Sequence, residues 1–242
     1  MGPDEEALDG GNVSSVVRVG ETVRRAAGPW TPTVHALLAW VRAHGVDGVP
    51  APLGIDSRGR EVLSHLPGEV GGWPQPDWIW DETVLADAAT LLRRWHDASA
   101  GFPRDGATWR LPAQEPAEVI CLNDVAPYNM VYSDGRLAGF IDVDMAAPGP
   151  RVRDLGYLAY RICPFGEDTP PPPGLDPHAR LDLLLAAYGA DAGISSPDVL
   201  RAAVGRLLDL ADWSEDHSRA TGRPELLEHA AMYRRDAARL CP

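Results

Sequence analysis

Residues 121–142 read CLNDVAPYNMVYSDGRLAGFID, and this stretch decides the fold. Asp134-Gly135 is the dipeptide favoured in a two-residue hairpin turn, because both central positions of a type I′ turn need positive φ. Counted outward from that turn, Ser133 faces Arg136 and Asn129 faces Phe140. Asp142 is then expected one diagonal step from Asn129 on the same face of the ribbon. Diagonal neighbours lie about 7–8 Å apart at the backbone, within reach of a shared cation. Asp124 precedes Asn129 by one loop, which Pro127 keeps from becoming helical. The expected product is a loop carboxylate beside a divalent-cation site.

Asp-x-x-x-x-Asn followed by a hairpin that exits in Ile-Asp resembles the layout of phosphoryl transfer in protein kinases. More closely, the chain resembles the aminoglycoside phosphotransferase family, whose pattern is His-Gly-Asp-x-x-x-x-Asn, then Ile-Asp, then a further Asp-Leu. The matching residues are Leu122-Asn123-Asp124, Asn129, Ile141-Asp142 and Asp154-Leu155. The resemblance implies that Asp124 is the catalytic base, that Asn129 and Asp142 hold magnesium, and that Asp154 is a structural acid bracing the loop. Leu122 stands where the family has a supporting histidine. The implied fold class is α+β and protein-kinase-like. Residues 1–68 would form a small antiparallel-sheet lobe that binds nucleotide, and residues 69–242 a mainly helical lobe with the catalytic loop and substrate site. The implied cofactors are ATP or GTP with Mg2+, and the acceptor is a hydroxyl of a small molecule, aminoglycoside-like antibiotics included.

Residues 8–26 read as a glycine-rich loop and short strands. By the same resemblance, Gly11, Asn12 and Ser14 cover the nucleotide phosphates, and Arg25, with Arg24 as the alternative, is the basic strand residue that meets them. Thr31-Pro32 begins a helix, with a hydroxyl cap and proline in the first turn. Kinase-like enzymes pair a strand lysine with a glutamate from this helix. Here the helix has no acid, so both halves of that pair are expected to be missing, with Arg25 and His35 in their places. Two more strands, 51–55 and 61–66, lead to a hinge at Pro67-Gly68. Asp81 caps a helix whose apolar residues Val84, Leu85, Ala88, Leu91, Leu92 and Trp95 share one face, and His96 at its end reads as a core or capping residue. Three further helices close the chain, starting near Asp176-Pro177, Ser196-Pro197 and Pro224.

The 242 residues are 45% apolar and include 8 Trp, enough to bury a substantial core. No apolar run approaches the length of a membrane span, and the acidic start MGPDEEALDGG is unlike a signal peptide, so a cytoplasmic protein is expected. Cys121, Cys163 and Cys241 are too scattered for a disulfide frame or zinc site. A net charge of −13 without a basic stripe argues against nucleic acid or an anionic membrane as partner. The same charge attracts a cationic substrate, and it also confers solubility. All 22 basic residues are Arg, and without lysine neither a Schiff base nor a Walker phosphate loop can form. An EF-hand starting at Asp142 fails, because Ala146 and Arg153 fall where acceptors are required. Asp144 reads as a second metal ligand or a loop cap. Asp212, Glu215 and Asp216 read as contacts for a cationic substrate or as solvated helix charges. Two functions follow. One is an ATP/Mg-dependent small-molecule phosphotransferase. The alternative is a degenerate kinase-like protein that binds nucleotide or a partner without turnover, in an immunity or regulatory role.

Overall fold

A computed structural model describes residues 5–8, 16–72 and 74–241, which divide into two compact units at Pro150/Arg151. The hinge expected at Pro67-Gly68 lies inside the first unit.

The first unit begins with strands β1 (Glu6–Leu8), β2 (Val16–Val19) and β3 (Thr22–Ala26), followed by helix α1 (Thr31–Ala43) and strands β4 (Pro52–Ile55) and β5 (Arg60–Ser64). All pair antiparallel in the order β1-β2-β3-β5-β4. Tight turns at Gly20 and Gly59, both at positive φ, close the consecutive hairpins. Helix α1 buries Val34, Leu37, Leu38 and Val41, a spacing that puts them on one stripe. Its first residue departs from the expectation: the Thr31 hydroxyl accepts from Gly28 N at 2.9 Å and makes no cap bond within the helix. The hydroxyl therefore closes the turn that precedes α1.

A second, three-stranded ribbon contains β6 (Glu69–Val70), β8 (Met130–Ser133) and β9 (Arg136–Phe140). Helix α2 (Glu82–Ser99) lies against β9 and against β7 (Val119–Cys121), which pairs with β10 (Ala147–Gly149). The fully buried Trp95 donates from Nε1 to Ile120 O at 2.7 Å, and Ser99 Oγ accepts from Ile120 N at 3.2 Å. These two bonds fix β7, the strand that leads into the catalytic-loop sequence. Buried His96 belongs to this helix core.

The second unit is helical: α3 (Arg151–Ile162), α4 (Pro177–Tyr188), α5 (Ser196–Thr221) and α6 (Glu225–Leu240), with α5 packed on both α3 and α6. Its helix ends follow the sequence closely. Asp176 caps α4 by accepting from His178 N and Ala179 N, and Gly222, at a φ of 70°, stops α5. At its centre, the fully buried Asp236 accepts from the Tyr160 hydroxyl at 2.7 Å, from Glu167 N and from Arg239. Burial, followed by this hydrogen bond, raises the Tyr160 pKa above its ordinary value. Asp236→Ala leaves these donors facing a void and is expected to lower unfolding stability by about 3 kcal/mol, read from denaturant midpoints at constant slope. Among the cysteines, Cys121 and Cys163 are buried and Cys241 is exposed, none of them in a disulfide, and burial pushes the Cys163 thiol up to about 12.

Candidate active site

Arg25, on β3, is buried and surrounded by acids. Its Nε meets Glu61, its Nη1 meets Asp142 Oδ1 at 2.5 Å, and its Nη2 meets Asp144 Oδ1 at 2.5 Å. Burial opposes the charge on this guanidinium, but Asp142, Asp144 and Glu61 together outweigh it and hold its pKa above the ordinary value. Glu61 reaches Arg25 because the two residues are direct cross-strand partners in the β3–β5 ladder, where Cβ atoms lie about 4.5–5.5 Å apart. Its other oxygen faces His35 Nε2 of α1 at 3.0 Å. The strand cation therefore has its glutamate after all. The strand lysine and the helix glutamate are both absent, and Arg25 and His35 stand in their places; the acid between them, Glu61, comes from the neighbouring strand.

Asp144 is held between two cations, with Arg110 at 3.7 Å from its Oδ2. Arg110 also lies over the Trp30 ring, 4.7 Å from its centroid. Burial raises the Asp144 carboxyl above the usual carboxylate range, Arg25 works against that rise, and Asp142 and Glu61 add to it. The geometry gives Asp144 a role beside the second metal ligand and the loop cap read from the sequence, that of a buried ion-pair partner.

Asp124 lies in the loop after β7. Asn129 donates from Nδ2 to the Asp124 backbone oxygen and to Asp124 Oδ2, both at 2.9 Å, and the Tyr128 hydroxyl donates to Oδ1 at 2.7 Å. The preceding Asn123 has a φ of 63°, a conformation that asparagine tolerates best among residues with a Cβ, and its side chain donates to Met145 O at 2.9 Å. Close backbone approach also shapes the loop. A Cβ at position 71 would lie 2.2 Å from Pro127 O, so only glycine lets the chain after β6 pass there.

The hairpin forms as read at its tip, with Asp134 and Gly135 both at positive φ and Ser133 opposite Arg136. The register further out is corrected. A bulge at Ala138 pairs Val131 with Gly139 and Met130 with Phe140, so Asn129 faces Ile141, whose N–H donates to Asn129 O at 2.9 Å. Asp142 follows directly and turns the chain out of the ribbon in the left-handed region, at φ 57° and ψ 65°. This αL turn, rather than a strand diagonal, sets where the Asp142 carboxylate goes.

Residues 107–203 match the model of the phosphotransferase enzyme family. Across 99% of this chain and 88% of the other, the structure superposes on a choline/ethanolamine kinase family protein from Mesorhizobium loti with a TM-score of 0.71 at 19% identity. A macrolide 2′-phosphotransferase from Brachybacterium faecium gives 0.65 at 17% identity, covering 100% of this chain and 93% of that one. The fold is protein-kinase-like, and the resemblance to the aminoglycoside phosphotransferase family holds. The trifolitoxin immunity protein of Rhizobium leguminosarum bv. trifolii is 38% identical over 152 residues, which are 60% of this chain and 57% of that relative's length.

Within this kinase-like fold, the predicted site residues fall into two clusters. Asp124 and Asn129 are in direct contact, Arg25 and Asp142 are in direct contact, and the backbone bond from Ile141 to Asn129 joins the two. Gly11, Asn12 and Ser14 lie outside the described residues. Arg24 turns away from Arg25's partners, with Nε 4.0 Å from Asp56 Oδ2. Asp154 is buried in the first turn of α3. Asp212 and Glu215 are both paired with Arg234, and Asp216 with Arg219, while Trp213 stacks on His217. These helix charges are thus met by arginines of their own unit. Among the described residues, no group of three or more His, Cys, Asp or Glu side chains is arranged to hold a metal. Glu61, Tyr128 and Arg110 escaped the sequence reading. None of the three left a distinctive signal: Glu61 sits in a strand of mixed polarity, Arg-Glu-Val-Leu-Ser.

Proposed function

We propose that the protein is an ATP/Mg2+-dependent O-phosphotransferase that moves the γ-phosphoryl group to a hydroxyl of a small molecule. Hydroxylated amino-sugar antibiotics are the first acceptor class to try, and GTP is the other candidate donor. The observation that carries this reading is the Asp124 carboxylate, held in a loop by Asn129. Asp124 accepts the proton of the acceptor hydroxyl as its oxygen attacks phosphorus, and the nucleoside diphosphate leaves with the electrons of the broken P–O bond. Because Asn129 directs its amide nitrogen to Asp124, its amide oxygen is the atom able to face a cation. Together with the half-exposed Asp142, it makes an all-oxygen donor pair of the kind magnesium accepts beside phosphates. Magnesium bound there would neutralise phosphate charge. Arg25 aims three of its five N–H donors at carboxylates, so it orients Asp142 and offers the remaining two to phosphate.

The second reading, binding of nucleotide or a partner without turnover, draws support from the immunity protein among the relatives. Titrating ATP with and without magnesium while following ADP release separates the two. Magnesium-dependent binding followed by acceptor-stimulated ADP release is expected, whereas binding with no stimulation by any acceptor supports the second.

A further inference from the structure

We propose that Tyr128 is the positioning residue of the Asp124 carboxylate, an inference that rests on Asp124 as the base. A loop aspartate rotates easily about its terminal torsion, which is broad and nearly two-fold, so a base on an irregular segment needs external restraint. Two side chains supply it here, one for each oxygen: Asn129 Nδ2 on Oδ2 at 2.9 Å and the Tyr128 hydroxyl on Oδ1 at 2.7 Å. At position 122, where the family pattern has histidine, this chain has a buried leucine, which has no side-chain hydrogen bond to give. Tyr128 is a side-chain donor on the oxygen opposite the one that Asn129 holds.

The tyrosine suits this task. It rides on a short turn, Pro127–Asn129, closed by Asn129 N donating to Ala126 O at 2.8 Å, so its backbone is fixed relative to Asp124. A ring with two torsions loses little freedom when it is held. Its own ring is partly exposed, at 38%, so it borders the approach to the carboxylate. A carboxylate oxygen has two lone-pair directions, so Oδ1 can keep the phenol and still accept an incoming hydroxyl. The acceptor hydroxyl is thereby placed next to Tyr128, and bulk at that position limits which acceptors reach Oδ1.

The test compares the native protein with Tyr128→Phe and Asp124→Asn, using magnesium–ATP with water as the acceptor, alongside a crystal structure of Tyr128→Phe. Losing one hydrogen bond to a charged group should lower kcat for ADP release about tenfold or more, with KM for ATP and the unfolding midpoint unchanged. The Asp124 carboxylate should leave its place between residues 128 and 129. If Asp124→Asn is slow and Tyr128→Phe keeps the full kcat, the positioning role is overturned and the base assignment stands. If Asp124→Asn releases ADP as fast as the native protein, the base assignment fails. In that case the crystal structure decides: a displaced carboxylate supports the positioning role, and an unmoved one overturns it.

Discussion

Asp124→Asn is expected to slow phosphoryl transfer about a thousandfold while leaving nucleotide affinity intact, as befits the loss of a general base. The amide is nearly isosteric and can still meet the Tyr128 hydroxyl, so the loop should keep its shape and the loss should appear in kcat. Steady-state kinetics beside an ATP binding titration would check this. Turnover that persists at the native rate removes Asp124 from the chemistry. A parallel loss of nucleotide affinity would mean that the substitution disturbed the Asp142 cluster through Asn129.

Glu61→Ala is expected to have the largest effect on stability. Glu61 is almost fully buried, and it faces Arg25 with one oxygen and His35 with the other. Removing it leaves a buried guanidinium short of one partner and a cavity beside it, at a cost of about 3–5 kcal/mol. The net value of the pair against an apolar replacement would be smaller, since both ions are desolvated in the native protein. Chemical denaturation followed by circular dichroism would measure the loss. A change below about 1 kcal/mol would mean that the Arg25–Glu61 pair is not built as described. With Glu61 gone, Arg25 also loses the restraint that aims it at Asp142, so nucleotide affinity should fall as well.

The contrast between the two residues shows what a single sequence can reveal. Asp124, Asn129 and Asp142 were legible because their spacing is local: one loop, one two-residue turn and one ribbon place them, and turn chemistry is written in Pro127 and Asp134-Gly135. Even there, the bulge at Ala138 was invisible, since nothing in Leu-Ala-Gly demands an extra residue, and the counted register slipped by one. Arg25–Glu61 was illegible for another reason. Strands β3 and β5 were both found, but a helix and another strand separate them in the chain, and which residues pair across such a gap is decided by the whole sheet. Asp144 shows a further limit: its neighbours Arg25 and Arg110 come from distant segments, so its role as a buried ion-pair partner could not be read from the sequence around it. The starts of α4, α5 and α6 were legible because capping residues and first-turn prolines act on their nearest backbone groups, as Asp176 does, whereas the stop of α5 at Gly222 was not read.

The central claim is that this site transfers a phosphoryl group, and the most direct measurement is mass spectrometry of small acceptors after incubation with the protein, ATP and magnesium. A panel of hydroxylated and amino-sugar compounds is expected to contain at least one that gains the mass of a single phosphate group, with equimolar ADP and no gain in the presence of Asp124→Asn. A panel that stays unmodified while ATP binds tightly with magnesium would contradict the account and leave a nucleotide-binding protein without turnover.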